Sequence, residues 1–479
     1  MEPAGVAERL HNKTFLITGT TGFIAKRSGE ILMLLIMQLQ IFRSLREKYQ
    51  KHFSSWFWDK LYPVAGDVAL KNLGIGDVAL AKDILKETDI IIHMAATVNF
   101  RERLVYDAHV VAPNHKYRYD KALAINTMGV KHIIEIASQC ANLELLLLGS
   151  TAYVNGKESG IMLEKPLHQY RSYDGQSDLD ISEELGIGRG EAQGVSLQEC
   201  FRRYYKMHHE DDWARKFGWM GTYVFTKAMG EMLAYEQTLR LPIAIIRPTS
   251  TTSTWKEPFP GWIEGIKTID TWITNYGKGH LKVLPGDVTT VIDIVPADTV
   301  VNATFCIISY HTRAQSGLIY HIGSSMRNPL EIVELLHTMF RYFTEKRFIG
   351  AEGEVIKVNQ LIVPATMDSF YEHMDRHYKV PLQDMERCGL STADDHDRYN
   401  HLKREHHFTV AIAELFRPGT FFKRRFDDSN MQSLYDDERQ RQRTDPCDTK
   451  FINWEKYLME IHIPSVMDYE SREATRARL

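Results

Sequence analysis

The sequence predicts an α/β protein, a doubly wound parallel sheet followed by a smaller, mostly helical C-terminal domain. Three observations carry this. Short apolar runs alternate with helix-like segments through the first part of the chain, the pattern of βαβ units. A glycine-spaced turn follows the first of those runs, and open α/β sheets bind ligands at the carboxyl ends of their strands. From about residue 330 the strand signals fade and helical and charged segments take over.

The candidate strands are KTFLIT (13–18), LYPVAG (61–66), DIIIHMA (89–95), LELLLLG (143–149), IAIIRP (243–248) and LIYHIG (318–323). Between them lie helical patterns such as GVKHIIEIASQC (129–140) and TKAMGEMLAYEQTL (226–239). Beyond them PLEIVELLHTMFRYFTEK (329–346) reads as a helix and 432–445 as a charged stretch. A Rossmann-type domain is therefore expected over residues 12–330 and a second domain over 331–479.

The chain has 479 residues, 44% hydrophobic and 25% charged, enough to bury a sizeable core and to form two or three domains. A net charge of −4 gives no basic footprint for nucleic acid. The five cysteines (Cys140, Cys200, Cys306, Cys388, Cys447) are scattered without CxxC spacing, which suits a reducing compartment and provides no disulfide or zinc framework. The start, MEPAGVAERLHN, reads as neither a signal peptide nor a Ser/Arg-rich transit peptide. ILMLLIM (31–37), the longest apolar run, is too short to span a bilayer. A soluble or peripherally bound protein is expected.

FLITGTTGFIAK (15–26) runs from a strand into Gly19-x-x-Gly22-x-x-Ala25. Glycine there allows the tight turn and the close approach of a pyrophosphate, and the next helix N-terminus offers free N–H groups. A glycine turn between any strand and helix looks similar, but its place after the first strand favours dinucleotide binding. Tyr223 and Lys227 stand four apart, on one face of a helix. The ammonium can lower the phenol pKa from about 10, fitting Tyr223 as a general acid toward a carbonyl oxygen. An isolated Tyr-x3-Lys is usually a surface pair. Here GSTAYVNG (149–156) ends another strand with Ser150 and Thr151, hydroxyls able to hold the same oxygen, and IIRPTS (245–250) ends the next.

This order of parts resembles the short-chain dehydrogenase/reductase superfamily, extended branch. AATVNF (95–100), INTMGVKHIIEIASQC (125–140), STAYVNG (150–156), TYVFTKAMGEML (222–233) and EPFPGWIEG (257–265) look like the alcohol-forming fatty acyl-CoA reductases. FFKRRFDDSNMQSL (421–434) and FINWEKYLMEIHIPSV (451–466) resemble the C-terminal domain of the plant members. The resemblance implies two-step, NADPH-dependent reduction of a long-chain acyl-CoA to a primary alcohol, with release of CoA, for wax, suberin, cutin or pollen-wall lipids. It implies Tyr223 as proton donor, Lys227 as its tuner and ribose ligand, and Thr151 with Ser150 as holders of the thioester and aldehyde oxygen. Gly19, Thr21, Gly22, Phe23, Ile24, Asp67, Ala95, Arg247 and Pro248 would contact the cofactor. No cysteine nucleophile is needed, because hydride adds to the thioester carbonyl and the adduct expels thiolate. The resemblance favours the endoplasmic reticulum surface or the cytoplasm over plastids, with peripheral membrane contact; oligomeric state and acyl length are unread.

Two stretches depart from the family pattern. Residues 19–60 are short for a helix, a second strand and a further helix, with SGEILMLLIMQLQIFR (28–43) as a makeshift substitute and Arg43 or Arg46 near the 2′-phosphate. LVYDAHVVAPNHKYR (104–118) is inserted between Arg103 and Tyr119. A catalytically impaired splice or gene-model variant unable to bind NADPH is the alternative reading, and a sugar-nucleotide epimerase or dehydratase a third.

Other features have bland readings. His373-x3-His377 and HLKREHHF (401–408) lack the HExxH glutamate and read as solvated helix histidines, so no metal is expected. HHEDDW (208–213) reads as a solvated loop. Asn126 reads as a helix-start residue that caps or makes a main-chain or water link. The aromatics of EPFPGWIEG either line an acyl channel or pack under their loop, and FDDSN carries no assignable chemistry.

Overall fold

The structure is a computed structural model that describes residues 10–19, 60–98, 118–156, 159–167, 181, 214, 217–311, 317–349, 353–442 and 448–476. Its centre is a parallel sheet of β1 (Phe15–Thr18), β2 (Ile90–His93), β3 (Leu145–Gly149), β5 (Ile243–Pro248) and β8 (Ile319–Ile322), in the order β1-β2-β3-β5-β8. β4 (Gly160–Met162), β6 (Ser250–Thr252) and β7 (Ile294–Pro296) lie outside it. The strands IIIH, LLLLG and IAIIRP carry apolar residues at successive positions because both faces are covered. Ile90, Ile92, Leu145, Leu147 and Ile246 enter one core with Ile307 and Ile308. Ile91, Leu146, Leu148, Ile243 and Ile245 enter another with Val130 and Ile133. Helices on both faces make the sheet doubly wound, as expected.

The helices are α1 (Val78–Glu87), α2 (Arg118–Leu123), α3 (Gly129–Ala137), α4 (Thr222–Tyr235), α5 (Ile269–Gly277), α6 (Ala297–His311), α7 (Ile332–Glu345), α8 (Met367–Met374), α9 (Val380–Cys388), α10 (Ala393–Phe421), α11 (Ser429–Gln442) and α12 (Ile463–Arg476). No described helix is long and apolar enough to cross a membrane. Asp77 caps α1 by accepting from the amides of Ala79 and Leu80. A π turn over Ala124–Met128 joins α2 to α3, so Asn126 lies inside a continuous helix and not at a helix start.

The strand expected at Leu61–Gly66 does not form: this segment is irregular, without a ladder partner among the described residues. Leu61 and Tyr62 are exposed, and Pro63 has no amide to donate. The makeshift segment 28–43 lies outside the described residues, as does the insertion except for Arg118.

Elements beyond residue 330 return to the sheet. Met431, Leu434 and Tyr435 of α11 share the core of β2, β3, β5 and β8. β9 (Arg424–Phe426) pairs in parallel with β4. The FDDSN segment is the clasp between them. Asp427 O accepts from His321 Nδ1 at 2.7 Å, Asp428 pairs with Arg327 at 2.6 Å, and Asn430 Nδ2 donates to Ile319 O at 2.9 Å. Both oxygens of Glu164 accept backbone amides at 2.7 Å, one from His321 and one from Asn430.

A second core joins Trp272 and Tyr276 of α5 to Leu335, Met339 and Phe343 of α7 and to Ile463, Val466 and Met467 of α12. It holds a polar seam. Ser253 Oγ lies 2.9 Å from His462 Nδ1, and His462 Nε2 lies 3.0 Å from Asp270 Oδ1. Tyr457 Oη donates to Ser253 O at 2.7 Å and contacts Thr252 Oγ1 at 2.9 Å.

Candidate functional site

The site lies where β1, β2, β3 and β5 end. Gly19 follows β1 with a φ of +83°, in the left-handed region that glycine tolerates. A Cβ there would stand 2.6 Å from Ala95 N and 2.8 Å from Met94 C, so only hydrogen fits between this turn and the end of β2. The backbone is thus bare where a phosphate-binding turn needs it bare. Thr21, Gly22, Phe23 and Ile24 lie outside the described residues.

Ser150 and Thr151 follow β3. Thr151 Oγ1 accepts from Tyr153 N at 3.4 Å, capping a short turn over Ala152–Asn155, and donates to Pro248 O at 3.5 Å. Ser150 is buried, yet its Oγ has no hydrogen-bond partner among the described residues. Buried hydroxyls rarely remain unpaired, because the loss costs about 1–3 kcal/mol. Tyr153 is occupied with Ser250, its Oη 3.0 Å from the serine Oγ.

Tyr223 and Lys227 share a face of α4, and Tyr223 packs in the apolar cluster of Tyr153 and Val154 beside the Ser150–Thr151 turn. Trp219 Nε1 donates to Val154 O at 2.8 Å and fixes the approach to α4. Lys227 is buried and donates to Gly149 O at 2.5 Å, which brings its ammonium to the end of β3. Burial lowers the Lys227 pKa to about 8, with the Glu231 carboxylate opposing that shift. Burial pushes the Tyr223 phenol up to about 12. The lowering of Tyr223 anticipated from its spacing to Lys227 is therefore not present in this arrangement, where the ammonium is turned to the Gly149 carbonyl.

Asn126 makes a main-chain link. Its Oδ1 accepts Thr97 N at 2.9 Å, and its Nδ2 donates to Thr97 O at 3.3 Å and Thr226 Oγ1 at 3.1 Å. It ties the segment after β2 to the helix of the Tyr–Lys pair. Arg247 is turned into the protein, where Nε donates to both Glu231 oxygens at 3.1 Å and Nη2 donates to Lys165 O at 2.9 Å. Its side chain is committed to this buried pair. Pro248 presents its carbonyl to Thr151, and Ala95 faces Gly19. Asp67 is exposed and forms a turn, accepting Ala69 N at 2.9 Å.

In the EPFPGWIEG loop Asp298 accepts the amides of Lys256 and Glu257 at 2.7 and 3.0 Å. Ile263 of that loop packs onto the second core together with the preceding Trp255.

Two site residues escaped the sequence reading. Glu231, one further turn along α4, stood at i+4 from Lys227, a spacing that could have flagged it. His93 stood as the lone polar side chain among residues 90–95 of DIIIHMA. It is wholly buried, its Nδ1 lies 2.8 Å from Thr18 Oγ1, and its Nε2 has no partner among the described residues.

A parallel sheet with a bare glycine turn, a Tyr–Lys helix and a hydroxyl pair at its strand ends defines an NAD(P)-binding oxidoreductase. A family model described as male sterility protein matches residues 17–304. The chain is 35% identical to fatty acyl-CoA reductase 1 of Arabidopsis thaliana, with 96% of this chain and 98% of that protein covered. It is 32% identical to the alcohol-forming fatty acyl-CoA reductase of Simmondsia chinensis, covering 98% and 99%. Among solved structures, the terminal R domain from the myxalamid PKS-NRPS biosynthetic pathway aligns with a TM-score of 0.46 at 15% identity, covering 88% of this chain and 85% of that one, a likeness too loose to bear on function. The chain belongs to the fatty acyl-CoA reductase family.

Proposed function

We propose that the chain reduces a long-chain acyl-CoA to the primary alcohol, with NADPH as reductant and release of CoA. The observation that carries this is the pairing of Lys227, bonded to Gly149 O at the end of β3, with the unpartnered Ser150 Oγ on the next residue. The bare Gly19 turn and the buried ammonium fit a dinucleotide. A reduced nicotinamide bound there supplies hydride. Ser150 and Thr151 hold the carbonyl oxygen of the thioester by donated hydrogen bonds, and Tyr223 gives that oxygen its proton. The oxygen then returns that proton to Tyr223 as the carbon–sulfur bond breaks, and the thiolate leaves with CoA and takes its proton from solvent. The same hydroxyls hold the resulting aldehyde, and Tyr223 protonates its oxygen to give the alcohol. Contact of the ammonium with the cofactor ribose in place of Gly149 O would bring it to Tyr223 and lower the phenol pKa from about 12.

The names of the relatives support the acyl-CoA substrate, and an apolar substrate supports work at the endoplasmic reticulum surface, with wax, suberin, cutin or pollen-wall lipids as product classes. The test is incubation of purified protein with NADPH and palmitoyl- to lignoceroyl-CoA, with products read by gas chromatography. Fatty alcohol and free CoA in a one-to-one ratio are expected, with saturable quenching of NADPH fluorescence. Absence of NADPH binding at millimolar concentration would overturn the proposal and favour the impaired-variant reading.

A further inference from the structure

His93 is an expensive residue for its position. The three residues before it in β2 are isoleucines, and its ring is wholly buried. A buried ring nitrogen without a hydrogen bond costs about 1–3 kcal/mol relative to an apolar side chain. The strand would be better served by leucine unless the nitrogen has a task. Its surroundings indicate one. His93 alternates onto the same face as Ile91, the face covered by α3 and α4. It immediately precedes the Met94–Ala95 backbone that abuts Gly19, and it pairs in register with Leu148, next to the Gly149 that Lys227 holds.

We propose that His93 is a positioning residue for Lys227: its ring, anchored through Nδ1 by Thr18, presents the Nε2 lone pair to the ammonium through one water, and keeps that lysine charged and aimed at the cleft. The inference rests on the reductase reading above. Hydrogen-bond chemistry selects the tautomer. An ammonium donates only, so Nε2 must be bare; the proton then sits on Nδ1 and is donated to Thr18 Oγ1 at 2.8 Å. The ring is neutral, because burial and the nearby Lys227 charge lower its pKa to about 3. It therefore serves as an acceptor, not as a store of protons. Among the described residues, the charged and titratable groups about Lys227 are Tyr223 and Glu231 on its own helix, His93 on β2, and Arg247 on β5 acting through Glu231. Each of the two reductions passes a proton through the substrate oxygen, and the second leaves it there. A buried lysine that must stay protonated through both gains from a second acceptor besides Gly149 O.

The test uses the full-length chain and two readouts. In the 15N spectrum of histidine-labelled protein, the ring of His93, assigned by its loss in His93→Gln, should show protonated Nδ1 and bare Nε2; protonated Nε2 would overturn the proposal. Titration of 15N-lysine-labelled protein should place Lys227 about one pH unit lower in His93→Leu than in the native chain, while His93→Gln, whose amide oxygen accepts, restores most of the difference. An unchanged Lys227 titration in His93→Leu would also overturn it. Should His93→Leu fail to fold, the native tautomer and the titration of His93→Asn, whose shorter amide cannot reach as far, decide instead. Both readouts work in protein without turnover, so a failure of the reductase reading stays distinct from a failure of this one. In active protein His93→Leu should move the alkaline limb of kcat/KM down by the same unit, about tenfold in rate above it, with the NADPH Kd within twofold of native.

Discussion

Two polar clusters in this molecule are built from similar side chains and differ in what they leave unpaired. In the seam between α5 and α12, Ser253, His462, Asp270 and Tyr457 are buried and turned toward one another; His462 Nε2 and Asp270 Oδ1 face each other at 3.0 Å as an ion-pair contact without hydrogen-bond geometry. The serine, histidine and aspartate stand in the sequence of contacts that a hydrolase triad uses. At the strand ends, Ser150 Oγ and His93 Nε2 are equally buried and have no partner among the described residues. The first cluster turns its polar atoms on one another and joins two parts of the chain. The second has polar atoms that no described residue faces, and on the function proposed above a bound group would meet them. A buried polar atom that faces another polar atom of the chain serves the fold, whereas one that faces none at strand ends is available to a ligand.

The comparison is broken most readily at the proton donor. Tyr223→Phe should lower kcat for alcohol formation by about 10²–10⁴-fold while leaving NADPH binding and the thermal unfolding midpoint nearly native. Retained alcohol formation would remove Tyr223 from the mechanism. The seam should respond in the opposite way. His462→Ala strands Asp270 in the core and should cost about 3 kcal/mol of stability, read by urea denaturation, with kcat per folded molecule unchanged. A large loss of kcat in the folded variant would mean that the seam is part of the site.

A pH profile sharpens the distinction further. Lys227 must be charged to serve the relay, and its folded pKa is lowered to about 8, so kcat/KM of the free enzyme should fall as pH rises through about 8. Glu231 opposes that lowering. Removing its charge in Glu231→Gln therefore lowers the lysine pKa and moves the limb to lower pH. A limb unmoved by Glu231→Gln would assign the alkaline loss to another group.

Much of the sheet was legible because strands buried on both faces are written as unbroken apolar runs, as in LLLLG and IAIIRP. LYPVAG carried a similar run and misled, since burial depends on what covers a segment, and among the described residues Leu61 and Tyr62 are exposed. The Tyr–Lys pair was legible because helical spacing is local. The commitment of Arg247 to Glu231 was not, because a strand-end arginine looks alike whether it faces a cleft or a buried carboxylate. FDDSN was opaque for a related reason: Asp427 reaches His321 and Asn430 reaches Ile319, partners more than a hundred positions away. Asn126 was misplaced at a helix start because the π turn that carries it has no sequence punctuation.

The smallest expected effect on stability is the most discriminating. Among the described residues Ser150 Oγ has no hydrogen bond to lose, so Ser150→Ala should change the unfolding free energy by no more than about 0.5 kcal/mol. Its effect on turnover depends only on whether the hydroxyl meets the substrate oxygen. With Thr151 able to supply a second donor, the expected loss in kcat/KM is about tenfold, below the 10²–10³ typical of a sole oxyanion donor. Ser253→Ala is the control: it deletes a buried hydroxyl that does have partners, so it should lower stability by about 1–2 kcal/mol and leave kcat/KM alone. The two serines differ only in what their oxygens already touch, and opposite responses would locate function in the unmade bond.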